Sequence, residues 1–202
     1  MNIYFDTEFT GLHKGTNLIS IGLISDDDRT FYAEFVDYDK TQCNDWINEN
    51  VIKNLKFKLP EQNEDYYYVA TRDKRNTKGN DLYNGYSVEM QGTKEMIMNE
   101  LIMWFNQFNT VELVSDVCHY DMVLLIDIFG TAFDLPNNVS ASCYDINQDI
   151  AKYLNVSQSK AFDKSREEFL FEESGYELQE CKHNSLYDAK VIKLIYSLIN
   201  KY

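Results

Sequence analysis

Three runs of strand character crowd the first 35 residues, and their spacing limits the fold more than any other feature. Ile3–Asp6 opens the chain. Leu18-Ile19-Ser20-Ile21-Gly22-Leu23-Ile24 is apolar enough for a well-buried strand. Asp26-Asp27-Asp28 signals a turn, and Thr30–Phe35 reads as the returning arm of a hairpin. Tight connections between the three imply an antiparallel meander. Beyond it the spacing alternates. Trp46, Ile47, Val51, Ile52 and Leu55 fall at helical intervals, with Asp45 as cap. Lys94–Phe108 predicts an amphipathic helix on Met96, Ile97, Leu101, Trp104 and Phe105. A strand at Val111–Val114, a helix at Met122–Phe129, a strand at Ser140–Tyr144 and a helix at Ile146–Leu154 follow. The last helix spans about Asn184 to Ile199. The class is α/β, a mixed sheet flanked by helices.

A chain of 202 residues with 44% hydrophobic content suits a single domain over 1–202. Lys58 to Gly92 stands apart: it is polar, rich in Asn, Asp, Lys and Tyr, and carries Pro60, Gly79, Gly85 and Gly92. It reads as an insertion at about 58–92, a hairpin or lid, because a structureless loop of that length is unusual in a compact domain. No apolar run is long enough to cross a bilayer, so no membrane association is expected. Met1-Asn2-Ile3-Tyr4 has no basic start and no cleavage site, so no secretory signal is expected either. Cys43, Cys118, Cys143 and Cys181 form no Cys-x-x-Cys pair, which disfavours a zinc ribbon or redox dithiol and fits a cytoplasmic location. The net charge of −14 weighs against a protein that coats nucleic acid. It is compatible with an enzyme that grips one chain end and with carboxylates that divalent cations neutralise.

Three groups of residues carry chemistry. Asp6 and Glu8 lie two apart at the end of a predicted strand, and so on one face. Paired carboxylates repel, and a divalent cation removes the penalty; hard oxygen ligands suit Mg²⁺ or Mn²⁺. The plain alternative is two solvated residues at a strand end. His183 and Asp188 bracket the start of the final helix. A neutral histidine there can serve as general base to a water near Asp188. The alternative is a surface histidine and a first-turn acid favoured by the helix dipole. Asp121 ends the run Ser115-Asp116-Val117-Cys118-His119-Tyr120-Asp121, where a strand gives way to a helix. It could cap that helix, and Asp116 is a rival carboxylate in the same turn. Cys118-His119 is a poor nucleophile–base pair, since adjacent side chains rarely aim at each other.

In combination these groups resemble the DEDDh exonucleases, which include RNase T, oligoribonuclease and the proofreading subunits of bacterial DNA polymerase. Phe5-Asp6-Thr7-Glu8-Phe9-Thr10-Gly11-Leu12 is similar to their Asp-x-Glu-Thr-Thr-Gly-Leu, and His183-x-Ser185-x-x-Asp188-Ala189 to their His-x-Ala-x-x-Asp-Ala. The small mycobacterial-type 3′→5′ exoribonucleases are a closer likeness. They share Asp-Thr-Glu-Phe, a second strand like Ile19-Ser20-Ile21-Gly22-Leu23, a segment like Trp46-Ile47-Asn48-Glu49-Asn50-Val51, and a Tyr-Asp that maps onto Tyr120-Asp121. This mapping favours Asp121 over Asp116. Phe9 and Ser185 depart from the wider group's Thr and Ala, and the middle motif lacks its His-Asn start.

The resemblance implies an RNase H-like fold with a mixed five-stranded sheet and helices on both faces. It implies Asp6, Glu8, Asp121 and Asp188 as ligands to two Mg²⁺ or Mn²⁺ ions, with His183 as base. The implied substrate is the 3′ end of single-stranded RNA, and the product a nucleoside 5′-monophosphate. Phe9, Thr10 and Leu12 would face the terminal nucleotide, Phe9 and Leu12 having a core role as the alternative. Lys53, Lys56, Lys58, Arg72, Lys74, Arg75 and Lys78 could guide the backbone. A DNA exonuclease on the same fold and a non-catalytic nucleic-acid-binding module are the competing readings. A homodimer is expected by analogy with RNase T.

Overall fold

A computed structural model describes residues 1–57, 73–74, 86–177 and 182–200. The three N-terminal runs form β1 (Asn2–Phe9), β2 (Leu18–Ser25) and β3 (Thr30–Phe35), each antiparallel to the next. β4 (Asp73–Lys74) and β5 (Tyr86–Gly92) extend the sheet past β3, to which β5 is parallel. β6 (Val111–Ser115) and β7 (Val139–Asp145) add in parallel on the far side of β1, giving the order β4-β5-β3-β2-β1-β6-β7. The sheet is mixed, as expected, but among the described residues it has seven strands where the sequence implied five. The long additional strand, β5, falls inside the stretch read as a polar insertion. Ser87, Glu89 and Gln91 make it polar in composition, yet they alternate with Val88, Met90 and Gly92 at strand period, and Val88 and Met90 are fully buried. The rest of that insertion, 58–72 and 75–85, lies outside the described residues.

α1 (Asp45–Asn50) is capped by Asn44 rather than Asp45, the Asn44 side chain accepting the Ile47 N–H at 2.9 Å. It gives way to a 3-10 turn at Ile52–Asn54, sooner than the apolar spacing suggested. α2 (Lys94–Phe105) and α3 (His119–Phe129) follow, then α4 (Ile146–Tyr153), α5 (Gln158–Phe162), α6 (Arg166–Ser174) and α7 (Ser185–Ile199). α5 and α6 have no counterpart in the sequence reading. No described helix is long and apolar enough to cross a membrane.

Strand alternation divides the core in two. Ile3 and Phe5 join a cluster with Trp104, Phe105 and Leu125 of α2 and α3. Tyr4 joins Ile150, Phe169 and Ile195 of α4, α6 and α7 on the opposite face. Asp6 and Glu8 continue the Tyr4 row, so β1 delivers both carboxylates to the side covered by α7.

The seat of α7 is fixed by Gly22, which pairs with Asp6 across the β1–β2 ladder. A Cβ at Gly22 would fall 2.2 Å from the Leu186 nitrogen and 2.3 Å from the Ser185 carbonyl carbon. The Ser20 and Ser185 hydroxyls also meet at 3.0 Å. The first turn of α7 thus lies on bare strand backbone, and Asp188, three residues on, is set beside β1. Gly22→Ala is expected to lift α7 and cost about 3 kcal/mol or more, the upper end of overpacking penalties. Urea denaturation would show this as a lowered midpoint; an unchanged midpoint would mean that α7 does not sit on β2 in this way.

Candidate active site

A cavity of about 820 Å³ opens at the C-terminal ends of β1 and β6. Its wall includes Asp6 and Glu8 of β1, Asp116 and Val117 after β6, Asp188 of α7, His183 just before α7, and Phe162 to Glu167 around α5 and α6. Open α/β sheets bind ligands outside the carboxyl ends of their strands, and this cavity occupies that position.

Glu8, His183 and Asp188 each offer a ligand atom, and the three atoms lie within 4.8 Å of one another. Burial drives the carboxylates away from their ionised forms. Asp6 is raised well above the usual range by burial, and then by the charges of Asp121, Asp188 and Glu8. Glu8 is raised by burial, and then by Asp188 and Asp121. Asp188 is raised to about 7, chiefly by burial. Asp121 reaches about 6 because burial outweighs the hydrogen bonds from Thr7 that hold it down. Among the described residues, no Lys or Arg forms an ion pair with any of these four.

Asp121 approaches from the other side of the sheet. α3 starts at His119, earlier than the sequence suggested, so Asp121 stands in its first turn, while Cys118 holds the cap position without a side-chain bond. Thr7 belongs to the Ile3–Phe5 row and meets Asp121 there. The Asp121 Oδ1 accepts the Thr7 hydroxyl at 2.6 Å and the Thr7 N–H at 3.1 Å. Asp121 is buried behind Thr7 rather than in the cavity wall. Asp116, its rival in sequence, is in the wall but is met by Arg166, with Nε–Oδ2 at 2.6 Å and Nη2–Oδ1 at 2.8 Å. Arg166 also bonds Asn147 Oδ1 and the carbonyls of Ala161 and Lys164, which fixes the α5–α6 connection to the end of β6.

His183 has a left-handed backbone, φ 60°. Such strain costs roughly 1–3 kcal/mol and persists only where neighbours enforce it. Here Asn54 Nδ2 donates to the Lys182 carbonyl at 2.8 Å. Asn184 caps α7 through its side-chain oxygen, and its Nδ2 donates to the Asn54 carbonyl and the Tyr32 hydroxyl, both at 3.2 Å. Tyr32 in turn donates to Glu34 at 2.6 Å. The fully buried Glu34 also accepts the Lys56 N–H at 2.6 Å and the Phe57 N–H at 3.1 Å. The imidazole meets the edge of Trp46 at 5.1 Å. Burial and the neighbouring Lys182 lower its pKa, so it is neutral at pH 7.

Phe9 lines the cavity and stacks on Tyr120, ring centroids 5.3 Å apart. Leu12 lines it and is largely exposed. Thr10 is buried; its hydroxyl donates to Gln42 Oε1 at 2.5 Å and accepts the Asn17 N–H at 2.9 Å, which holds the turn after β1. Of the basic set, Lys56 pairs with Glu89, and Lys58, Arg72, Arg75 and Lys78 lie outside the described residues. The sequence reading missed Arg166, Glu167, Lys182 and Asn54. None of the four carries a local sequence pattern that marks it; Arg166 meets Asp116 only through the fold.

No protein-family profile matches the chain. Two 3′-5′ exoribonucleases of Mycobacterium tuberculosis, from strains CDC 1551 / Oshkosh and H37Rv, are 33% identical to it over 55 residues. The match covers 27% of this chain and 33% of theirs, so it spans a third of those relatives. Among solved structures, the nuclease domain of 3′hExo, a DEDDh family member bound to rAMP, gives a TM-score of 0.57 at 11% identity, over 99% of this chain and 92% of that one. A 3′-exonuclease in 3′-end recognition of histone mRNA stem-loop gives 0.56 at 12%, over 99% and 64%. Pop2p of S. pombe, in its Mg²⁺- and Mn²⁺-bound form, gives 0.54 at 13%, over 100% and 83%. At these identities the likeness is one of fold: the chain has the RNase H-like fold of the DEDDh exonucleases.

The raised carboxylates make metal-free stability pH-dependent, with a definite sign. Asp121 and Asp188 bind protons more tightly folded, at about 6 and about 7, than unfolded, near 3.9. The folded state therefore holds the extra protons between those values, and stability falls as pH rises through that window. In EDTA the melting temperature should be higher at pH 5 than at pH 8, and Mg²⁺ should stabilise selectively at pH 8. Asp188→Asn should stabilise the EDTA form at pH 8 by on the order of 2 kcal/mol, a tenfold change in proton affinity being about 1.4 kcal/mol. A melting temperature in EDTA that rises from pH 5 to pH 8 would contradict the electrostatics described.

Proposed function

We propose that this chain is a divalent-cation-dependent 3′→5′ exonuclease that removes nucleoside 5′-monophosphates from single-stranded RNA. The observation that carries the proposal is the group of buried Glu8 and half-buried Asp6 and Asp188, crowded together and, among the described residues, in no ion pair with a Lys or Arg, beside His183 with its lowered pKa. A site built only for folding would pair or neutralise such groups, as the protein does for Asp116. Hard oxygen donors gathered in this way fit Mg²⁺ or Mn²⁺. Asp6, Glu8 and Asp188 would hold a pair of these ions together with Asp121, whose Oδ1 accepts from Thr7.

When bound, such ions acidify a water and stabilise a departing oxygen. The protein's own groups supply the rest. His183 accepts the water's proton as the water oxygen bonds to phosphorus and the bond to the 3′-oxygen breaks. The hydrogen bonds from Asn54 and Asn184 hold the imidazole segment in place, while Phe9 and Leu12 shape the floor for the last nucleotide. Every residue invoked comes from one chain, so the chemistry needs no second copy.

RNA is preferred over DNA as substrate because the partial sequence match is to exoribonucleases and two of the fold relatives are described with rAMP and histone mRNA. Matched RNA and DNA oligomers would decide the point. With RNA, Mg²⁺-dependent release of 5′-monophosphates is expected, abolished by EDTA and by Asp6→Ala. His183→Ala should lower kcat by about 10²–10⁴-fold, the usual range for a general base. The acid limb of kcat/KM, which reports the free enzyme, should lie below the ordinary histidine value of 6.5, since His183 must be neutral and its pKa is lowered. Undiminished release in Asp6→Ala would refute the assignment.

A further inference from the structure

Of the three cysteines described, Cys43 stands apart at the end of a 3-10 turn at Lys40–Gln42, while Cys118 and Cys143 meet. Sequence spacing disfavoured a redox dithiol, but this pair is made across the fold. Cys118 ends the turn from β6 into α3, and Cys143 lies on β7 in register with Leu113 of β6. Leu113 and Cys143 share the Ile3–Phe5 side of the sheet with α3, so β7 brings its thiol beneath the start of that helix. The Cys143 thiol donates a hydrogen bond to Cys118 Sγ, and both residues are free and half-buried. The turn that carries Cys118 is strained. Val117 is left-handed at φ 51°, a conformation that a β-branched residue rarely adopts. Two neighbours hold it there: Asp145 Oδ1 of β7 accepts the Val117 N–H at 3.0 Å, and Arg166 grips the preceding Asp116. Cys118 takes the cap position of α3 with no side-chain bond to the helix, so no cap is lost when its sulfur turns to Cys143. Asp121 follows in the first turn, held by the Thr7 hydroxyl at 2.6 Å.

We propose that Cys118 and Cys143 are a redox modification site, a dithiol that low-molecular-weight disulfides convert to a disulfide, and that the new bond displaces Asp121. Burial raises both thiols, Cys143 more strongly, so Cys118 attacks first. Its thiolate bonds to one sulfur of the small disulfide and expels the other as a thiol. Cys143 then attacks Cys118 Sγ, closes the protein disulfide and expels the second small thiol. The two protein thiols are oxidised, the small disulfide is reduced, and the two protons end on the released thiols. A covalent bond draws the sulfurs nearer than a hydrogen bond does, which pulls the cap of α3 toward β7. The Thr7–Asp121 contact, one turn on, then lengthens, because Thr7 is fixed in the ladder between β1 and β2. The effect on divalent cations rests on the function proposed above; the chemistry at sulfur does not.

The test uses the full chain, reduced and then equilibrated with oxidised glutathione. Peptide mapping by mass spectrometry should recover Cys118 linked to Cys143 with no glutathione retained, and dithiothreitol should reverse the link. Oxidation should lower Mg²⁺-dependent RNA hydrolysis by about 10–100-fold, the usual cost of disturbing a hydrogen bond that orients a metal ligand. It should also shrink the rise in melting temperature that Mg²⁺ gives at pH 8. Cys118→Ser and Cys143→Ala should match the reduced wild type in hydrolysis and keep that rate in oxidised glutathione; melting curves under reductant show that both are folded. Absence of the Cys118–Cys143 link in a chain that hydrolyses RNA overturns the site. A link that leaves hydrolysis and the Mg²⁺ response unchanged overturns the coupling to Asp121, as does equal inhibition of both variants by the oxidant. A chain that forms the link yet, when reduced, neither responds to Mg²⁺ nor hydrolyses RNA supports the dithiol site and overturns the nuclease reading.

Discussion

Leu186 and Ser185 rest on β2 at Gly22, where a single added carbon would come within 2.2 Å of backbone. Everything at the cavity floor depends on that closeness. Because α7 lies against the strand with no side chain between them, Asp188 arrives beside Asp6 and Glu8. Because β1 alternates, those two face α7 while Thr7 turns to the opposite layer and catches Asp121. The cluster is thus assembled from both faces of one strand. Its geometry is set by close contact of main chains rather than by flexible side chains.

That assembly runs against electrostatics. Burial first, and then the charges of neighbouring acids, raise all four, while the described cations of the cavity wall pair elsewhere. Arg166 is committed to Asp116 and to the α5–α6 connection, Lys182 to Glu167, and Lys164 to Glu172. The contrast between Asp116 and the other acids is informative, because Asp116 shares the cavity wall with Asp6, Glu8 and Asp188. One is neutralised by a five-donor guanidinium that also bonds backbone carbonyls. Among the described residues the others have no such partner, and burial drives them toward their protonated forms.

The N-terminal meander was legible because its three runs are apolar, β-branched and separated by turn residues. The positions of the first and last motifs on a strand and at a helix start were legible from spacing, but each alone fitted a plain structural role, and only their combination and its family resemblance pointed to a site. The middle was harder. Asp116 and Asp121 look equivalent by pattern alone; the Tyr120-Asp121 resemblance favours Asp121, and Arg166, fifty residues away, takes Asp116. β5 was hidden because its buried residues are half of a polar stretch. Its alternation of Val88 and Met90 with Ser87, Glu89 and Gln91 was the available signal, outweighed by composition. α5 and α6 escaped for a related reason: each is short and buries few side chains, Ala161 in one and Phe169 and Leu170 in the other. The cavity wall they supply follows from Arg166, which has no local pattern.

Glu34 shows how far the site extends into the scaffold. It lies fully buried in β3, away from the cavity wall, and its carboxylate gathers the Tyr32 hydroxyl and the Lys56 and Phe57 amides. Tyr32 passes that order to Asn184, and Asn184 with Asn54 fixes the turn bearing the imidazole. Four side chains that lie outside the proposed chemistry are therefore joined in one hydrogen-bonded chain. Loss of the Tyr32 hydroxyl alone would leave a fully buried Glu34 oxygen short of a donor, so the rigidity of the imidazole turn is tied to a carboxylate in the core.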